Sequence, residues 1–133
     1  MTSSAKSAGL VVMVAHGSPS GEWNQVASVF GEEVQTAFPD WECTLAFLGF
    51  GRPTFKDVLS SIEQNPPKRV LVAPVLLAPG GHLLNDISTC LADLRRALPD
   101  TEIERLPTLL EQPHVRNGIV GTIGEAIQQA ALD

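Results

Sequence analysis

Short apolar runs alternate with helical repeats along the whole chain, and this alternation restricts the possible folds more than any other feature. Four runs suit buried strands, and after each one apolar residues recur every three or four positions, the spacing of one helix face. The predicted strands cover residues 10–15, 42–48, 69–77 and 102–106, and the predicted helices follow Ser20, Thr54, His82 and Gln112. The order βαβαβαβα predicts one α/β domain, a four-stranded parallel sheet with helices on both faces.

Two of the three histidines stand at equivalent places in this pattern. His16 ends the first strand, and His82 follows two glycines after the third strand, where a helix begins. Ligands of parallel sheets bind at the carboxyl ends of the strands, and we expect strands one and three to be neighbours, roughly 4.8 Å apart. Two imidazoles suit a divalent transition metal, so both histidines are candidate metal ligands and bases. The simpler alternative is that each only hydrogen-bonds its own loop.

Charged residues near these histidines have two interpretations each. Asp86 lies four residues after His82, on the same helix face, where its carboxylate would orient the imidazole or would simply face solvent. Arg52 and Lys56 would bind substrate carboxylates or be ordinary solvated charges. We expect His114, which follows a proline in a polar loop, to lie on the surface.

Composition limits the class of partner. Nine basic against fifteen acidic residues give a net charge of −6, which disfavours nucleic acid and anionic membranes. Cys43 and Cys90 lack metal-binding or disulfide spacing, so we expect buried thiols in a reducing compartment. Residues 1–9 do not resemble a signal peptide, and no apolar run has transmembrane length. A cytoplasmic protein with a flexible tail over residues 1–9 is predicted, with Trp23 and Phe30 in its core.

Two segments together carry a resemblance to a known family. Val-Met-Val-Ala-His-Gly-Ser at 12–18 and Pro-Gly-Gly-His-Leu-Leu-Asn-Asp-Ile at 79–87 resemble the short CbiX-type sirohydrochlorin chelatases, a class II chelatase family. The resemblance covers nearly the whole chain. It implies a flavodoxin-like chelatase domain over residues 10–133, a homodimer, and metal binding by His16 and His82. Gly49 stands where this family commonly has glutamate.

The resemblance also implies an activity. The protein would be a lyase that inserts a divalent metal into sirohydrochlorin for cobalamin or sirohaem synthesis, with Co²⁺ first and Ni²⁺ or Fe²⁺ as alternatives, and with no organic cofactor. We expect the tetrapyrrole to contact Ser18, Gly80, Gly81 and Leu83. One alternative is a non-catalytic carrier of metal or tetrapyrrole. Another is a histidine phosphatase-like enzyme, although Ala15 replaces the arginine of that signature.

Overall fold

The computed structural model describes residues 8–78 and 80–132, and for residues 82–84 the description covers the backbone alone. The strands are β1 (Leu10–Ala15), β2 (Glu42–Phe47), β3 (Arg69–Pro74) and β4 (Glu102–Arg105). The helices are α1 (Glu22–Ala37), α2 (Phe55–Ile62), α3 (Gly81–Ala97) and α4 (Pro113–Leu132), with a 3-10 turn at Leu109–Glu111. The predicted βα alternation is confirmed. The predicted tail lies largely outside the described residues.

The four strands form one parallel sheet in the order β2-β1-β3-β4. The predicted adjacency of strands one and three is therefore confirmed. In the register, Val14 of β1 lies opposite Pro74 of β3, and Ala15 lies opposite Phe47 of β2. Because these three strands end together, the loops that follow them emerge at one edge of the sheet, called here the carboxyl edge.

The third strand is shorter than predicted. It ends at Pro74, whereas the apolar run had indicated a strand to Leu77. Just beyond Pro74 the Val75 amide still donates to the Val14 carbonyl of β1 at 2.7 Å, but the carbonyls of Leu76 and Leu77 accept from the amides of Leu109 and Leu110, each at 2.8 Å. The segment 107–112, predicted as a loop after β4, contains the 3-10 turn Leu109–Glu111, and the amides of Leu109 and Leu110 in this turn donate the two bonds.

The two faces of the sheet are covered unequally. Helices α2 and α3 pack on one face and form the larger core, which contains Val12, Val14, Val70, Val72, Phe55, Val58, Ile87 and Leu94. On the other face α1 packs over β1 and β2, and the core there is smaller. The side chains of Leu71 and Ala73 in β3, and that of Val75 just after it, pack toward this second core and are only half-buried. The prediction that this run is buried on both faces is wrong for the α1 side.

The helix starts confirm two of three predictions. Thr54 caps α2 as predicted: its Oγ1 accepts from the Asp57 amide at 3.1 Å, and the Asp57 carboxylate accepts from the Thr54 amide at 2.9 Å. Pro113 begins α4, as predicted. Ser20 does not cap α1, because its hydroxyl pairs with the Ser18 hydroxyl at 3.0 Å, and Gly21 stands at the cap with φ +80°.

Two expectations about burial are wrong. Trp23 and Phe30 are 41% and 44% exposed, because α1 buries its small residues Ala27 and Gly31 against the sheet instead. Cys43 and Cys90 are not joined in a disulfide, as expected, but both are half-buried. Within the described residues, no helix is long and apolar enough to span a membrane.

Candidate functional site

His16 lies at the carboxyl edge, immediately after β1, and it is exposed. Its backbone is held by the loop that follows β2. The Leu48 amide donates to the Ala15 carbonyl at 2.8 Å, and the Gly49 amide donates to the His16 carbonyl at 3.1 Å. These bonds extend the β1–β2 ladder past the strand ends. The backbone that carries the imidazole is therefore held by the loop after β2 as well as by β1.

The residue after His16 must be glycine. Gly17 has a φ of +88°, a conformation that other residues adopt with strain. A Cβ atom on Gly17 would lie 1.8 Å from the carbonyl oxygen of Gly49, which no displacement of a side chain can relieve. The close approach of these two backbone segments explains why a glycine follows the histidine.

Asn24, in the first turn of α1, ties the same two loops together. Its Oδ1 accepts from the Ser18 amide at 2.9 Å, and its Nδ2 donates to the Ser18 carbonyl at 3.2 Å and to the Phe50 carbonyl at 2.6 Å. The Asn24 side chain thus forms hydrogen bonds with Ser18, which lies 6 positions before it, and with Phe50, which lies 26 positions after it. Sequence reasoning missed this residue, because no local motif signals a bond across 26 positions.

The loop after β3 brings glycines to the same edge. Gly80 is the N-cap of α3 in an extended conformation, Gly81 begins the helix, and His82 follows in the first turn. Among the described residues, a Cβ atom on either glycine would meet no heavy atom within 4 Å. The side chains of His82 and Leu83 lie outside the described part, so the pairing of His82 with His16 and the contact of Leu83 with the tetrapyrrole remain predictions.

A cavity of about 420 Å³ opens between α2 and α3, beyond the end of β2. It is lined by Phe47, Leu48, Thr54, Phe55, Lys56, Asp86, Thr89 and Cys90. Lys56 and Asp86 bring opposite charges to a cavity whose other walls are partly apolar. Asp86 is exposed, as expected for a carboxylate that faces solvent, and its orienting of the His82 imidazole remains a prediction because that side chain lies outside the described part.

Two ionisable groups near this cavity, Asp57 and Cys90, have pKa values that are shifted in opposite directions. Hydrogen bonds from the Thr54 amide and hydroxyl group, and then the charge of Arg52, hold the pKa of Asp57 below its ordinary value. Arg52 itself is 86% exposed and lies 3.8 Å from that carboxylate. Burial, with smaller contributions from Asp93 and Asp86, raises the pKa of the Cys90 thiol to about 11. Cys90 is thus a neutral thiol in the cavity wall.

The described side chains include no cluster of three or more metal ligands. No three of their histidines, cysteines and carboxylates are arranged so that they could hold a metal ion, and the side chain of His82 is not among those covered. His114 is exposed in the first turn of α4, as predicted for a surface residue. The described residues therefore leave His16, Asn24 and the three loops at the carboxyl edge as the candidate site.

The strand order and the loops at the carboxyl edge define a flavodoxin-like α/β domain. This fold is shared by a crystal structure of a protein from Marinobacter aquaeolei VT8. That protein is named as a CbiX protein of cobalamin (vitamin B12) biosynthesis. It superposes with a TM-score of 0.76, covering 91% of this chain and 98% of that one, at 17% identity. The family model for CbiX matches residues 10–126. The chain belongs to the CbiX family.

Curated relatives match over part of their length. A sirohydrochlorin cobaltochelatase from Saccharolobus islandicus (strain L.S.2.15) is 34% identical over 77 residues, which are 58% of this chain and 59% of that protein. A sirohydrochlorin cobaltochelatase from Sulfurisphaera tokodaii is 28% identical over 85 residues, 64% of this chain and 69% of that protein. The chain thus matches about three fifths of the first relative.

Proposed function

We propose that this protein is a chelatase that inserts a divalent metal ion into sirohydrochlorin, with Co²⁺ as the preferred metal. The observation that carries the proposal is the parallel pairing of β1 with β3 in a chain of the CbiX family. This pairing gives the loops of His16 and His82 a common edge. The names of the matched relatives support the substrate and the metal.

Metal insertion needs a protein ligand that binds the metal ion transiently. Insertion exchanges two protons on the macrocycle for one M²⁺ ion, so a donor must bind the metal and a base must accept protons. A neutral imidazole does both. We assign these roles to His16 and His82. A site with two protein donors leaves positions on the metal open, which favours transfer over storage.

The macrocycle needs a surface larger than one loop. We propose that it lies across the carboxyl edge, against Ser18, Gly80, Gly81 and Leu83, with the cavity between α2 and α3 beside it. Lys56 is the cation at that cavity best placed for a substrate carboxylate. A tetrapyrrole is large for one domain of 133 residues, which supports a homodimer. The lack of a disulfide between Cys43 and Cys90 supports a cytoplasmic, reducing location.

A chelation assay tests the proposal. Purified protein is mixed with sirohydrochlorin and with Co²⁺, Ni²⁺ or Fe²⁺ in parallel, and the absorption change is compared with the rate without protein. We expect many turnovers per protein, fastest with Co²⁺. Stoichiometric binding of metal or tetrapyrrole without turnover would contradict the proposal in favour of a carrier. Hydrolysis of a phosphomonoester in place of insertion would favour the phosphatase hypothesis.

A further inference from the structure

Phe50, the residue after Gly49, combines a strained backbone with an exposed side chain. Its φ is +54°, a region that residues with a Cβ atom rarely adopt, and among the described residues it is the only residue other than glycine with a positive φ. The ring is 67% exposed, so packing within the chain contributes little that would offset the strain. Phe50 therefore lowers the stability of the isolated fold, which points to a role other than folding.

The backbone at Phe50 and at the residue after it is fixed by contacts. The Phe50 carbonyl accepts from Asn24 Nδ2 at 2.6 Å. A Cβ atom on Gly51 would lie 2.7 Å from Cγ of Phe47, so the backbone of Gly51 packs directly on that buried ring. Strained conformations persist where the surrounding structure determines them, and they cluster at ligand sites. The loop thus holds Phe50 in one backbone conformation while its ring faces solvent.

Phe50 belongs to the loop that holds the candidate metal ligand. It follows Gly49, whose amide donates to the His16 carbonyl at 3.1 Å. Two further large apolar side chains are exposed at the carboxyl edge: Trp23, where the loop after β1 enters α1, is 41% exposed, and Leu77, in the loop after β3, is 63% exposed. The chain segment after each of these three strands thus brings one exposed apolar side chain to the edge where His16 lies.

We infer that the Phe50 ring stacks on the conjugated face of the tetrapyrrole that receives the metal, an inference that rests on the proposed function. Aromatic rings stack in offset arrangements, and a ring on a fixed loop makes this contact without the loss of backbone freedom that a mobile loop would incur. The contact is with the face of the macrocycle and involves no transfer of protons or metal. Phe50 is therefore a residue that binds and selects the substrate, and His16 keeps the chemical role.

Removal of the ring should change stability and binding in opposite directions. Asparagine adopts a positive φ more readily than phenylalanine, so Phe50→Asn should raise the midpoint of urea unfolding. The same variant should bind metal-free sirohydrochlorin about 10-fold more weakly, because it lacks the stacking ring. Phe50→Tyr keeps the ring and should bind as tightly as the parent.

Titrations of matched variants test the inference. Phe38 follows the opposite end of α1, is 56% exposed and has a φ of −129°, so Phe38→Asn removes an exposed ring without relieving strain and should bind like the parent. Binding is read from the quenching of tryptophan fluorescence as metal-free sirohydrochlorin is added to each full-length protein. In the insertion assay with Co²⁺, Phe50→Asn should raise KM for sirohydrochlorin about 10-fold at a near-parent kcat, because the contact is equal in the ground state and the transition state.

The outcomes separate this inference from the proposed function. A parent that does not bind sirohydrochlorin would overturn both. If the parent binds it, equal affinity in Phe50→Asn would overturn the inference alone, as would equal weakening by Phe38→Asn or by Phe50→Tyr. A lower unfolding midpoint for Phe50→Asn would assign the ring to packing, and a lower kcat at an unchanged KM would assign it to the chemical step. Either of these results would also overturn the inference.

Discussion

The amide of Gly49 donates a hydrogen bond to the carbonyl of His16 at 3.1 Å. The candidate ligand is therefore positioned by the loop after β2 as well as by its own strand. Gly17 adds a backbone contact to the same loop, and Asn24 adds a bond to Phe50 on that loop. Changes in either loop should alter the position of the imidazole, and this relationship underlies several of the following predictions.

Removing either histidine should abolish most chelation. His16→Ala and His82→Ala are each expected to lower the rate of metal insertion by at least ~100-fold, the usual range for loss of a positioned acid–base group. The double variant should be little worse than either single one, because residues that act as a unit lose function non-additively. Circular dichroism should show an intact fold for His16→Ala, since that residue is exposed.

His114→Ala is the control for the histidine variants, since His114 is exposed at the start of α4. It should insert metal at the parent rate. A near-normal rate for His16→Ala or His82→Ala would refute the shared role of the two histidines.

Two glycines with similar backbones should respond differently to alanine. Gly17 and Gly21 have φ values of +88° and +80°, but a Cβ atom meets the Gly49 carbonyl only at Gly17 and open space at Gly21. Gly21→Ala should lower the free energy of unfolding by about 1–2 kcal/mol, the cost of the left-handed conformation. Gly17→Ala should lower the free energy of unfolding by clearly more than Gly21→Ala does, and it should also lower the chelation rate. Equal losses in urea unfolding would show that crowding at Gly49 is unimportant.

The bonds of Asn24 should matter for both stability and activity. Asn24→Ala removes three hydrogen bonds, each with a net contribution of about 0.5–1.5 kcal/mol, and frees the two loops from one another. We expect a lower chelation rate and a lower unfolding free energy. Gln25→Ala, at the exposed neighbouring position, is the control. If both variants were equally active, Asn24 would not position the loops.

Position 49 should accept the glutamate that the CbiX-type chelatases commonly carry there. A Cβ atom on Gly49 meets no heavy atom within 4 Å, and the backbone bond to His16 does not depend on the side chain. Gly49→Glu should therefore fold and raise the insertion rate several-fold, because a carboxylate at this edge attracts the metal and accepts protons. Gly49→Gln has the same size without the charge, and an equal effect of both variants would contradict this reason.

Cys90 should react slowly with alkylating reagents. The pKa of its thiol is raised from 9.0 to about 11, mainly by burial, so the thiolate at pH 8 is about 100-fold scarcer than in the unfolded chain. In a Cys43→Ser variant, alkylation should accelerate in urea and should rise with pH up to about 11. Because the folded thiol binds its proton more tightly, this group's contribution to stability falls as pH rises between 9 and 11. Rapid alkylation of the folded protein at pH 8 would contradict the prediction.

Features that depend on local sequence patterns could be predicted from the sequence. Strand and helix order, the Thr54 cap, and the common edge of the loops after β1 and β3 follow from periodicity, capping chemistry and the rules for parallel sheets. It could not reveal Asn24, whose bonds depend on tertiary placement, or the exposure of Trp23 and Phe30. A helical repeat shows that a face is apolar, but the crossing of α1 over the sheet decides which side chains it buries.

The half-covered sheet has a consequence for how this protein responds to dilution. If the half-covered face of the sheet is covered only by another copy, part of the core is completed only in the assembled state, and mass action then couples folding to protein concentration. The midpoint of thermal unfolding should rise as the protein is concentrated, and the isolated chain should be the less stable form. Low abundance would then limit the lifetime of each molecule as well as the number of molecules.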